Sequence, residues 1–122
     1  MQGYHDKKKG FGITYDDIYL VNGARTQFGK LCGTLGQVSP TDLGIFATKA
    51  AIEKSGLSGE DIDQLMYANI GQGSADSYFL PRHIGLYAGI PEGIPAVMLQ
   101  RICGSGFETI IAGAEQISLG KA

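Results

Sequence analysis

No stretch of this chain is apolar for long enough to cross a membrane, because glycine or a charged residue interrupts every run. No apolar segment follows the first charges, so no secretory signal is expected. Cysteine is scarce: Cys32 and Cys103 are the only two, and a pair so far apart fits no zinc-site spacing. That spacing leaves a disulfide open. Few cysteines in an acidic chain without a signal nevertheless read as reduced thiols and a cytoplasmic location. An excess of either charge is also lacking. The formal net charge of −2 and the pI near 5.6 give no basis for nucleic acid or an anionic membrane as partner. The one basic run, Lys7, Lys8 and Lys9, lies in a polar N-terminal tail over residues 1–17, expected to be loop or disordered. "GQGSAD" and "CGSGFE" lack the third glycine of a dinucleotide fingerprint, and no Gly-Lys-Ser/Thr appears for a phosphate loop. Low-complexity tracts and internal repeats are missing too.

What is present suits one domain: 122 residues, 43% of them apolar, are enough to form a core. "IYLVNGA", from Ile18, reads as the first strand, and "RTQFGKLCGTLGQV" as a glycine-punctuated loop. Ser39 opens a helix, with Pro40 in the first turn and Asp42 placed as its capping-box partner. Leu43, Phe46, Ala47, Ala50 and Ala51 then fall on one apolar face, and Gly56 is the stop. Ser58 and Asp61 repeat the capping signature for a short turn before "LMYANI", the second strand. A helix around Pro81 puts Leu80, Ile84 and Tyr87 on one side and ends at Gly89 and Pro91. "AVMLQRI" is the third strand, and Phe107, Ile110, Ile111, Ala114 and Ile117 form the stripe of the last helix. Strand and helix alternate, which predicts a three-layer α/β fold with a mainly parallel sheet. After Leu119 no strand follows to complete the last crossover, so the chain reads as one piece of something larger.

Cys103 falls where a strand gives way to a helix. Unpaired N–H groups and the positive helix end favour a thiolate there, and can receive an oxyanion after attack on a carbonyl. Gly104 and Gly106 leave room for a substrate to approach. The competing reading is a buried, inert cysteine in a glycine-rich turn, which is the commoner fate of a free cysteine. Cys32 has similar neighbours, but lacks the strand–helix context. A nucleophile also needs a base or a cation. His5 lies in the tail, His83 in a helix, and spacing places neither beside Cys103. Arg101 and Arg82 are candidate cations that more often serve structural pairs. A papain-type Cys-Gly-Ser-Cys is not met, since Gly106 stands at its second cysteine.

Two segments together resemble the thiolase family, the acyl-CoA C-acyltransferases. "VNGARTQFGKLCGTL" is similar to the family's opening strand and Arg-Thr-Pro-Phe-Gly turn. "VMLQRICGSGFETIIAGAEQISLGKA" is similar to its nucleophile block, and "YANIGQG" and "RHIGLYAGIPEGIPA" keep the family's order between them. The resemblance spans about residues 18–122, read as a partial thiolase N-terminal domain. It implies a three-layer αβα fold, incomplete in this chain, and Cys103 as the nucleophile that accepts an acyl group from a CoA thioester. It implies coenzyme A thioesters as substrates, with no permanently bound cofactor and no metal. The acyl-enzyme would then undergo Claisen condensation, or arise in thiolytic cleavage of a 3-oxoacyl-CoA. The family's Gly-His-Pro and Cys-Gly-Gly segments are missing, as is its Asn-Glu-Ala-Phe segment. The implied partner is therefore a complementary thiolase chain carrying the histidine and second cysteine, in a homo- or hetero-oligomer. Gln27 and Gln100 depart from the family's usual Pro and Asn; Gln100 bears on hydrogen bonding beside the nucleophile. Two alternatives stand beside this one: a catalytically incomplete piece acting in assembly, and a condensing enzyme working on acyl-carrier protein.

Overall fold

Ser39 starts the first helix as its position predicts. Its backbone is extended, its hydroxyl oxygen accepts the Asp42 N–H at 3.0 Å, and the hydroxyl donates to the Asp42 carboxylate at 2.8 Å. Pro40 occupies the first helical position, and Gly56 ends the helix at φ 73°, a left-handed angle that glycine adopts without steric cost. The computed structural model describes residues 1–8 and 10–122. In it this helix is α1 (Pro40–Ser55), preceded by β1 (Gln2–Asp6) and β2 (Gly10–Thr14) and followed by β3 (Leu65–Tyr67), α2 (Leu80–Ala88), β4 (Ala96–Met98) and α3 (Ser105–Ser118). The short turn expected after Ser58 is a 3-10 turn, with Asp61 receiving both the Ser58 N–H and hydroxyl.

β3 and β4 pair in parallel, Leu65 opposite Ala96 and Tyr67 opposite Met98. A parallel pair needs a crossover, and α2 provides it. Helix α2 packs on both strands and on α1, while α3 contacts β3. Leu65, Leu80, Ile84, Ile90 and Ala114 form the buried apolar core. Two glycines allow this packing. A Cβ on Gly44 would overlap Ile84 between α1 and α2, and one on Gly85 would overlap Leu65 between α2 and β3. Tyr67 reaches from β3 to α1, where its hydroxyl meets that of Thr48; burial raises its phenol pKa, partly offset by that hydrogen bond.

Four expectations are corrected. "IYLVNGA" forms no strand: among the described residues nothing pairs with 18–24, and Asn22 instead donates to the Lys54 carbonyl at the end of α1, 2.7 Å away. The polar tail is not simple loop, because β1 and β2 pair antiparallel in a hairpin with Lys7 and Lys8 in its turn. Asp6 accepts the Lys8 N–H there at 2.7 Å, and Gly10 takes φ 85°, so local turn chemistry closes the hairpin. Lys9 lies outside the described residues. Tyr87 and Phe46 are exposed rather than part of the helix faces assigned to them. Beyond Tyr87 the left-handed Gly89 folds the chain back, so Ile90 is buried instead. On α3 the stripe is present but largely uncovered: Ala114 is 8% exposed and Phe107 75%. The strand pair is too small to cover the rest of that face.

Candidate active site around Cys103

The last ladder bond of β4 runs from the Leu99 N–H to the Tyr67 carbonyl, 2.8 Å. The chain then turns through Ile102–Gly104 in one 3-10 turn and enters α3 at Ser105, with Gly104 as its N-cap. Cys103 sits in that turn, at the strand-to-helix junction expected for it. Its thiol is free and exposed, so the buried reading does not hold.

The turn is strained at Ile102, whose φ is 46°. For a β-branched residue this is a true outlier, and such strain persists only where the surroundings hold it. Here both sides of Ile102 are held. Its N–H donates to Gln100 Oε1 at 3.0 Å, and its carbonyl accepts the Ser105 hydroxyl at 2.7 Å. Ser105 Oγ also accepts the Arg101 N–H at 2.8 Å and lies 3.2 Å from Gln100 Oε1. Ser105 is 1% exposed, so water does not compete for its hydroxyl.

The candidate cations are engaged elsewhere. Arg101 forms a two-pronged pair with Glu108, Nε to Oε2 at 2.7 Å and Nη2 to Oε1 at 3.1 Å, strapping the turn to the first turn of α3. Arg82 donates to the Ile94 and Glu92 carbonyls and braces the loop after α2. His83 is half-buried beside Asp76, Nδ1 to Oδ2 at 3.1 Å, and stacks on Phe79. Asp76 also accepts the Thr41 hydroxyl at 2.6 Å, and these two hydrogen bonds, Thr41's first, hold its carboxyl at about 2. No bond joins His83 or either arginine to the Cys103 thiol. Cys32 is exposed at φ 57° in the loop that precedes α1. Among the described residues no group of His, Cys, Asp and Glu is placed to hold a metal ion. The Asp76 network went unforeseen, since its members lie far apart in sequence. Gln100 stood out only as a departure from a motif.

The family described as "Thiolase, N-terminal domain" matches residues 18–122. The chain belongs to the thiolase family. It is 40% identical over 105 residues to human mitochondrial 3-ketoacyl-CoA thiolase, covering 86% of this chain and 26% of the human protein. A cytosolic acetyl-CoA acetyltransferase of Gibberella zeae is 35% identical over 108 residues, covering 84% of this chain and 26% of its own length. The crystal structure of human mitochondrial 3-ketoacyl-CoA thiolase in complex with CoA superposes with a TM-score of 0.82 at 41% identity, over 84% of this chain and 26% of that one. The fold is thus a part of the thiolase α/β fold, and the chain spans about a quarter of the length of these relatives. None of the described helices of this thiolase chain is long and apolar enough to cross a membrane.

Proposed function

We propose that this chain supplies the nucleophile of an acyl-CoA C-acyltransferase, and that Cys103 is that nucleophile. The observation that carries the reading is an exposed cysteine on a strained, doubly braced turn between β4 and α3, inside the segment matched to the thiolase family. The Cys103 sulfur, as thiolate, attacks the carbonyl carbon of a CoA thioester and forms a C–S bond. The carbonyl electron pair moves to oxygen, for which the positive end of the α3 dipole is a favourable neighbour. The pair then returns, the bond to the CoA sulfur breaks, and CoA leaves as a thiolate that takes up a proton. The acyl group is now a thioester on Cys103. A second CoA thioester accepts it in Claisen condensation; in thiolysis, free CoA does so after 3-oxoacyl-CoA cleavage.

Proton transfer needs groups that His83, Arg82 and Arg101 do not bring to the thiol. We assign them to a complementary thiolase segment carrying the histidine and second cysteine, within a homo- or hetero-oligomer. On this reading residues 1–17 are an appendage to a partial thiolase N-terminal domain, 18–122. The free thiols of Cys32 and Cys103 favour a reducing compartment, for which we propose the cytoplasm. CoA thioesters serve as substrates, with no cofactor permanently held.

The test is Cys103→Ala in the completed protein. Release of CoA from acyl-CoA is expected to fall at least about 1,000-fold, as when a covalent nucleophile is lost, with assembly unchanged by sedimentation. Undiminished release in a correctly assembled variant would refute the assignment. A wild-type assembly that releases no CoA would favour a role in assembly alone.

A further inference from the structure

We propose that Gln100 and Ser105 are positioning residues, which clasp Ile102 in its left-handed conformation and thereby aim the Cys103 sulfur. The proposal rests on the reading of Cys103 as nucleophile. Left to itself, a β-branched residue avoids φ 46°. Relaxing it would rotate the peptide that leads into Cys103 and swing the thiol away from its place at the start of α3. The clasp opposes this from both ends of the same residue. Gln100 Oε1 receives the Ile102 N–H at 3.0 Å, and the Ser105 hydroxyl donates to the Ile102 carbonyl at 2.7 Å. The two clasping groups also touch each other, 3.2 Å apart, and Ser105 takes the Arg101 N–H at 2.8 Å. The Arg101 N–H and both the N–H and the carbonyl of Ile102 are thus fixed around one strained angle. None of these hydrogen bonds reaches the sulfur itself. Their effect on the reaction would run through geometry: attack needs the sulfur about 3–3.5 Å from the carbonyl carbon, and a misplacement of about 1 Å costs about 100-fold in rate.

The experiment is single-turnover acylation of Cys103 by acetyl-CoA in the completed protein, read by peptide mass spectrometry as rate and half-saturation. Gln100→Ala and Ser105→Ala are each expected to lower the limiting rate about 10- to 100-fold, with half-saturation changed less than about twofold, as for residues that act on geometry and not on ground-state binding. A second background separates aiming from general stability. Glycine adopts left-handed angles freely, so Ile102→Gly makes the clasp dispensable. Adding Gln100→Ala to Ile102→Gly is then expected to lower the rate less than about threefold, a strongly non-additive pair. Wild-type rates in both alanine variants would overturn the proposal. So would an equal loss from Gln100→Ala with and without Ile102→Gly. Failure of the wild type to acylate at Cys103 would instead overturn the reading of the nucleophile.

Discussion

At Cys103 the decisive quantity is access to an approaching carbonyl, and access depends on backbone angles that the residue's own identity does not dictate. The small neighbours Gly104 and Gly106 and the strand-to-helix position were legible in the sequence. The left-handed Ile102 was not, because isoleucine is among the last residues one would assign to that angle. Arg101, a candidate cation whose commoner fate is a structural pair, is paired with Glu108. The Arg101 side of that pair is largely solvent-exposed, so Arg101→Gln is expected to change unfolding stability by less than about 1 kcal/mol in urea titrations. Asp76 behaves differently. Hydrogen bonds from Thr41 and His83 lower its carboxyl to about 2, so the folded state binds its proton more weakly than the unfolded chain does. Its contribution to stability is full above pH about 4, the unfolded carboxylate range, and is lost as pH falls toward about 2. In Asp76→Asn, melting temperatures measured from pH 7 to 2 should start lower and decline less between pH 4 and 2 than in the wild type. Parallel curves offset by a constant would argue against this network.

Among elements, α1 and the strands β3 and β4 are legible in the sequence, whereas the fate of residues 18–24 and the β1–β2 hairpin is not. α1 carries its own start and stop in Ser39, Pro40 and Gly56. Ser39→Ala is accordingly expected to destabilise the protein by about 1 kcal/mol, measured as a shift of the urea midpoint. β3 and β4 were legible as short apolar runs bounded by turn residues. "IYLVNGA" has an equally strand-like composition, yet residues 18–24 form no ladder, because a strand exists only where a second backbone lies beside it. The hairpin of β1 and β2 was missed for the opposite reason. Its turn is closed by Asp6 and Gly10, signals masked by the run of lysines. The close approach of α2 to β3 at Gly85 also needs distant knowledge. Filling it with Gly85→Ala should cost about 1–3 kcal/mol through overpacking against Leu65, and a neutral substitution would show that the two elements can separate freely.

The molecule as a whole leaves more large apolar side chains exposed than buried among the described residues. Leu20 is 80% exposed, Phe28 91% and Phe107 75%, while the buried core is made of Leu65, Leu80, Ile84, Ile90 and Ala114. Faces of that kind mark surfaces of association. Together with a chain spanning about a quarter of its relatives' length, they are in keeping with the complementary thiolase segment proposed above, which would cover α3 and pair with residues 18–24. Amide exchange across 18–24 should then be slow in the completed protein and fast in this chain alone; equal rates in both would contradict the pairing. The central claim is chemical, however, and one measurement addresses it directly. The completed protein is mixed with acetyl-CoA carrying a heavy-isotope acetyl group, quenched in acid, digested and sequenced by mass spectrometry. The account predicts a thioester-linked acetyl group on Cys103, removed by added CoA. An acetyl group on any other residue, with Cys103 unmodified, would contradict it.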